Sequence, residues 1–449
     1  MLSHLPSWHA LARADPAALP NHSQRLLLEA MCRAAAANPD ERARDATLRA
    51  LIAPLPPRLA AVAASATLLR PDVCVEVRAC CGALRGAALA ASRDTAVPTA
   101  KSIGGCLPHL LGMAPTYCPS AEPLLPILKV HRDLARTTAA LLPMAIALAL
   151  AKHCAELVAT YAQHSPPPDP PPANAAASAA LVLSGGGGGK GGSKGGGGAR
   201  AVAEAEEIIR YKQVKTLLQL LQYLAARDEE ATTAESVADE RAYTSVLCAA
   251  LGGLLPCVTP SLLDFPKLCA AYFLLLGTYL ETRPLAAVSM PPQLYSSVLS
   301  SIAFGLSHHD ASICRGALEA AYEFARRASQ HAGYASPTDE LLKHLLGRIA
   351  ADLLTSRLHP DVVDPAGGNA LLALIVAQPS HWQALVGSLV GAQPTPQARE
   401  RATAAFGALL TTNGVVANLT RPNRTRFRAN LDSLLRAVGS GGFVLPTGT

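Results

Sequence analysis

Apolar residues return at helical spacing in segment after segment of this chain, and Pro, Gly or a short polar run separates each segment from the next. In 208–224, Val214, Leu217, Leu218, Leu221 and Leu224 share one face, while Lys212, Lys215, Gln219 and Gln222 lie largely on the other. Tyr295, Val298, Leu299 and Ile302 make another such stripe, and Cys314, Ala317, Leu318, Ala321 and Phe324 a third. No convincing strand alternation interrupts them. Rods that are apolar along one side bury that side most simply by stacking in layers. The chain is 50% hydrophobic but only 4% aromatic; its core is built on Ala and Leu, which let helices approach closely. The expected fold class is all-α: a HEAT-repeat α-solenoid, an ARM-like superhelix, with a disordered Pro/Gly-rich insertion. Helix pairs should recur at roughly 40 to 50 residues. The product of such a fold is a surface, so the function to expect is binding.

Breakers set the predicted boundaries. Helices are expected over 24–37, 41–52, 57–69 and 72–92, then over 131–164, 200–226, 241–255, 261–282, 292–306, 311–331 and 338–358. Shorter ones follow at 369–377, 382–390 and 396–410, with a last helix over 422–438. The stretch 93–123 is rich in Pro and Gly and has no dominant period, and 228–240 is acidic and reads as a loop. The sharpest discontinuity is 165–199. It opens with Pro166 to Pro172, broken by Asp169, and ends in a Gly run broken by Lys190, Ser193 and Lys194. Such composition cannot bury enough apolar surface to offset the entropy of ordering, which predicts a disordered linker. The expected organisation is N-terminal repeats over 1–164, the linker over 165–199, C-terminal repeats over 200–438 and a flexible tail over 439–449.

The residues assign no catalytic, cofactor-binding or metal-binding site. A phosphate loop needs Gly-Lys followed by Ser or Thr, and Lys190 is followed by Gly191. Cys80-Cys81, His153-Cys154 and His308-His309 are adjacent pairs, whereas structural zinc draws on Cys or His two to five residues apart in two sets. The Gly-x-Ser-x-Gly spacing occurs in Gly191-Gly192-Ser193-Lys194-Gly195 of the Gly run, with no strand pattern before it to make an elbow, and there is no His-Glu-x-x-His. An odd count of 11 cysteines, with no apolar leader in 1–20, predicts reduced thiols in cytosol or nucleus. The glycosylation-type triplets at Asn418 and Asn423 then carry no weight. The apolar runs 139–151 and 246–258 are shorter than the ~20 residues a membrane span needs, so no membrane insertion is expected. A net charge of +6 is mild and argues against a nucleic-acid protein. The clearest basic concentration is Arg421, Arg424, Arg426, Arg428 and Arg436, read as a solvated polar face or as a dock for an acidic partner or acidic loop.

Leu263-Asp264-Phe265-Pro266-Lys267-Leu268-Cys269, with Tyr272-Phe273 and a Leu-rich helix behind it, resembles the C-terminal third of the exportin-4 family, especially its plant-type members. The order of further motifs agrees: Ile209-Arg210-Tyr211-Lys212 into Leu217-Leu218-Gln219-Leu220-Leu221, then Gly305-Leu306 with Asp310 and Cys314. Leu409-Leu410-Thr411-Thr412-Asn413 and Arg426-Phe427-Arg428-Ala429-Asn430-Leu431 close the series. Leu84-Arg85-Gly86-Ala87-Ala88 is similar to an upstream segment of that family. The resemblance is specific over 208–438, and a sibling exportin is the nearest competitor. It implies a karyopherin-type nuclear export receptor without enzymatic activity. Such a receptor binds protein cargo with Ran-GTP, passes nuclear pore proteins and moves between nucleus and cytoplasm. The family's typical cargo is the hypusine-containing translation factor 5A. Family members are far longer, which predicts a truncated or shortened chain. The repeats that contribute most to their Ran binding have no counterpart here, so the resemblance does not carry Ran-GTP binding to these residues alone. A HEAT/armadillo scaffold unrelated to transport is the other reading.

Overall fold

The computed structural model describes residues 21–118, 123–165, 197–227, 234–263, 265–283, 290–330 and 339–442. Among them the regular structure is helical throughout, without a strand. The chain is an all-α HEAT-type stack whose contacts group it into two units, Met1–Leu268 and Cys269–Thr449.

The first unit holds α1 (Asn21–Ala36), α2 (Glu41–Ile52), α3 (Leu55–Ala63), α4 (Pro71–Leu89), α5 (Ala96–Gly104), α6 (Leu107–Tyr117), α7 (Leu124–Thr138), α8 (Met144–His164), α9 (Gly197–Ala225) and α10 (Ala234–Leu254). Two layers organise them. Helices α1, α4, α7 and α9 pack in succession to form one layer, and α3, α6, α8 and α10 form the other; the short α2 and α5 pack on each other. The first two repeats therefore have three helices each, where the sequence suggested pairs. Capping explains the punctuation. Asp40 accepts from the Arg42 and Ala43 N–H groups to start α2, and Pro71 occupies the first turn of α4, where a missing N–H costs nothing. Gly86 lets α4 touch α1 backbone to backbone: a Cβ there would lie 2.3 Å from the Arg25 carbonyl oxygen.

The expected single helix over 131–164 is two. Helix α7 ends at Thr138, a 3-10 turn follows, and Leu142 turns extended (ψ 142) ahead of Pro143. Proline lacks the N–H to continue the ladder and disfavours helical backbone at the residue before it. Arg227, buried, donates to the Ala139 and Leu142 carbonyls left open by the break, at 3.4 and 2.6 Å. Helix α8 is long and apolar enough to cross a membrane. Its Ala147, Leu150, Ala151, Cys154, Leu157, Val158 and Tyr161 are instead buried in the stack, and Lys152 and Glu156 lie on its exposed side.

Other corrections follow from local chemistry. The region 93–123 contains α5 and α6, with Pro108 tolerated in the first turn of α6. Helix α10 starts seven residues before the expected Arg241, so 234–240 is helical rather than loop; Glu240 there is buried. Helix α9 begins at Gly197, inside the expected linker. The rest of the linker, 166–196, lies outside the described residues, as do 443–449 of the expected tail. The contact boundary between the two units falls after Leu268.

The second unit comprises most of α11 (Pro266–Thr282), then α12 (Pro292–Leu306), α13 (Ala311–Gln330), α14 (Asp339–Leu354), α15 (Gly368–Ala377), α16 (Pro379–Gly391), α17 (Pro396–Thr411) and α18 (Arg421–Ala437). The expected helix over 261–282 is split: a single turn at Pro260–Leu263, then α11 opening at Pro266. Helices α13, α15 and α18 form one layer; α12, α14 and α16 form the other. Phe273 fills a notch lined by Gly305 and Gly316, where added Cβ atoms would come within 2.4 and 3.0 Å of it.

Candidate interaction surface

The residue pairs singled out for chemistry are packed or structural. Burial pushes the thiols of Cys80, Cys106 and Cys154 up to about 12, and that of Cys81 well above its ordinary value. The nucleophile and metal ligand is the thiolate, so these groups are silent at neutral pH. No cluster of three metal-capable side chains occurs among the described residues. His308 accepts from the Asp310 N–H at 3.0 Å, and its ring stacks on His309 at the entry to α13. His153 stacks on His131, rings 5.3 Å apart and nearly parallel. His131 is fully buried; desolvation first, and His153 last, lower it to about 4, so both rings are neutral packing groups. Asn423 is buried too. Its amide donates to the Val416 and Asn418 carbonyls, each at 2.7 Å, which leaves no room for a glycan. Phe265 packs its ring 4.8 Å from that of Tyr211 on α9.

The C-terminal arginines are largely used up by the fold. Arg424 donates to the Tyr322 hydroxyl at 3.3 Å, with its guanidinium 5.5 Å from that ring's centre. Arg426 reaches the Gly414 carbonyl, Arg428 pairs with Asp364 at 2.6 Å, and Arg436 pairs with Asp432. The contacts of Arg424, Arg426 and Arg428 pin α18 to earlier parts of its own unit, and the Arg436–Asp432 pair lies within α18 itself. Arg421 remains exposed at the helix start.

A second basic cluster, dispersed in sequence, forms on the α4–α7–α9 layer of the first unit. Lys129, Arg132 and Arg136 stand at i, i+3 and i+7, and so share a face of α7. Asp133 is the hub. Its carboxylate is buried (side chain 1% accessible) and accepts from Arg85 of α4 at 2.8 Å and from Arg132 at 2.5 Å. Arg132 also donates to Gln219 of α9 at 3.3 Å. One carboxylate thus joins three successive helices and orients two guanidiniums whose edges reach solvent. Lys129, one turn before Arg132 on α7, is half-buried. Its ammonium is held below the usual lysine range, first by burial, then by Arg85 and Arg132; Asp133 opposes this, and Lys212 of α9 adds to it. Arg85, Lys129 and Arg132 therefore share a single carboxylate, with Lys212 a further like charge beside Lys129. The same sharing recurs on α1, where Glu29 pairs with both Arg25 (2.7 Å) and Arg33 (2.6 Å).

Sequence reading placed Lys212 and Lys215 on the polar side of α9 but did not find this cluster. Its signal was the spacing of Lys129, Arg132 and Arg136, which gains meaning only once α4, α7 and α9 are known to be neighbours.

No protein-family model matches the chain. Over 193 residues, 39% of its length, the chain is 27% identical to Exportin-7-B and, at the same identity and extent, to Exportin-7-A of Xenopus laevis. The match covers 18% of either relative, so the chain spans less than a fifth of their length. The similarity supports an exportin-type, karyopherin-like relationship and names a sibling of exportin-4 rather than exportin-4 itself.

Proposed function

We propose that this chain is a HEAT-repeat portion of a nuclear export receptor that works by binding proteins and turns nothing over. The observation that carries this reading is the similarity to exportin-7 across 193 residues of a chain that folds as stacked helices. Solenoids of this kind bind through many modest contacts spread over successive helices, with partner choice set by charge and shape. Within that class, the shared order of motifs over 208–438 favours an exportin-4-like branch. Its partners are then protein cargo, with the hypusine-containing translation factor 5A as the first to try, Ran carrying GTP, and nuclear pore proteins. Its places of action are nucleus, pore and cytoplasm. The protonated buried thiols of Cys80 and Cys154 support binding over thiolate chemistry at those positions.

The test is retention of purified partners on the immobilised chain. Expected is enrichment of hypusine-bearing 5A over its unmodified form, of Ran-GTP over Ran-GDP, or of both. Retention of neither partner above a bare-resin control overturns the transport reading and leaves a helical-repeat scaffold.

A further inference from the structure

We propose that the face formed by Arg85, Lys129, Arg132 and Lys212 binds an acidic polypeptide segment of a partner protein. The inference gives the receptor reading above one partner chemistry. Its test uses neither Ran nor 5A, so either can fail alone.

Three cations gather here around one carboxylate, a fourth, Lys212, acts on Lys129, and that carboxylate is spent. Both Asp133 oxygens are taken, one by Arg85 and one by Arg132. Lys129 has no counter-ion of its own among the described residues, and its neighbours act on it as like charges. Holding a half-buried ammonium near two guanidiniums costs free energy, and Asp133, which opposes that cost, is already paired with both arginines. A bound anion offsets it, and such perturbed groups gather at functional sites. The arrangement is rigid: Asp133 fixes Arg85 and Arg132, and Gln219 fixes the far edge of Arg132. Docking then orders few side chains.

Spacing favours a polypeptide. Packed helices lie ~8–10 Å apart. An extended chain rises ~3.3 Å per residue and returns to the same side every second residue. Acidic side chains two residues apart lie on one side at ~6.6 Å and, with the reach of a Glu side chain, meet successive rungs on α4, α7 and α9. A nucleic-acid track would call for a longer basic stripe interleaved with free aromatic rings. Tyr211, the ring next to Lys212 in sequence, already packs on Phe265 and lies under the Lys215 ammonium.

The experiment is fluorescence anisotropy of the full chain with a short labelled oligoglutamate. An uncharged Gly-Ser peptide and a single-stranded oligonucleotide serve as comparison probes. Oligoglutamate should bind, and bind less tightly as salt rises. K129E/K212E should weaken it roughly tenfold or more, and K129Q/K212Q by less. R357E/R401E makes the same change in net charge at exposed positions of the second unit and should leave binding unaltered. Four results overturn the proposal: no binding above the Gly-Ser peptide; equal losses from R357E/R401E; an oligonucleotide that binds more tightly than the peptide and loses that binding in K129E/K212E; or a K129Q/K212Q protein with wild-type melting and wild-type affinity.

Discussion

Two basic clusters of this molecule meet opposite fates. In the second unit, five arginines crowd one short stretch of sequence, yet three tie α18 to the fold, Arg424 on Tyr322, Arg426 on the Gly414 carbonyl and Arg428 on Asp364, and Arg436 pairs with Asp432 within the helix. In the first unit, cations from three distant stretches converge on α4, α7 and α9 around one buried carboxylate. Density of charge along the chain therefore says little about charge available to a partner. What decides is the ratio of cations to acceptors after folding. Arg428 has an exposed acid to itself, whereas Asp133 serves two arginines beside a lysine.

The largest effect expected from this contrast is Asp133→Ala. Removing a buried carboxylate leaves Arg85 and Arg132 facing each other and Lys129, and should cost about 3 kcal/mol or more in denaturant unfolding. A loss below 1 kcal/mol would mean that the hub does not hold the layer together. Acidification should strike the same unit. The His131 value of about 4 lies below the ordinary 6.5. Between those pH values the unfolded chain takes up a proton that the folded chain refuses. Stability present above pH 6.5 is therefore lost as pH falls toward 4, by on the order of 3 kcal/mol. No described histidine of the second unit is buried. Hydrogen exchange followed across this window should show opening around α7 and α8 first, and His131→Leu should flatten the dependence. Uniform opening of both units would break the contrast.

Smaller effects are expected on the C-terminal side. Arg424→Ala loses one hydrogen bond and a cation–π contact, about 1 kcal/mol, read as a lower melting temperature. Asp364→Ala removes an exposed acid from Arg428 and should change stability by less than about 1 kcal/mol. It should also free the Arg428 guanidinium. Oligoglutamate binding that newly appears in this variant, and disappears with Arg428→Ala, would show that pairing within the fold is what keeps the C-terminal cluster from docking.

Helix existence was legible in the sequence because an amphipathic period is a local property. The stripes at Leu217, Leu221 and Leu224, at Cys314, Ala317 and Leu318, and at Phe427, Leu431 and Leu434 are all buried as expected. Pro292 and Pro396 open helices where the chain says they should. Boundaries slipped where a local signal was weak or shared. Pro143 divided an apolar run that reads as continuous, and the acidic 234–240 proved helical because α10 packs against α8 and α9. Three-helix repeats at the start stayed hidden because α5 and α6 are short and carry prolines.

Sequence by itself determined the class of this protein: helical rods with one apolar side, stacked because no other burial suits them, and without the residue spacings of a metal or nucleotide site. Only the tertiary structure decided which charges remain for a partner. Arg85, Lys129 and Lys212 are far apart along the chain, and a Coulomb interaction depends on distance through space. Layer neighbours are chosen by packing between repeats, so the basic face exists only after α4, α7 and α9 have come together.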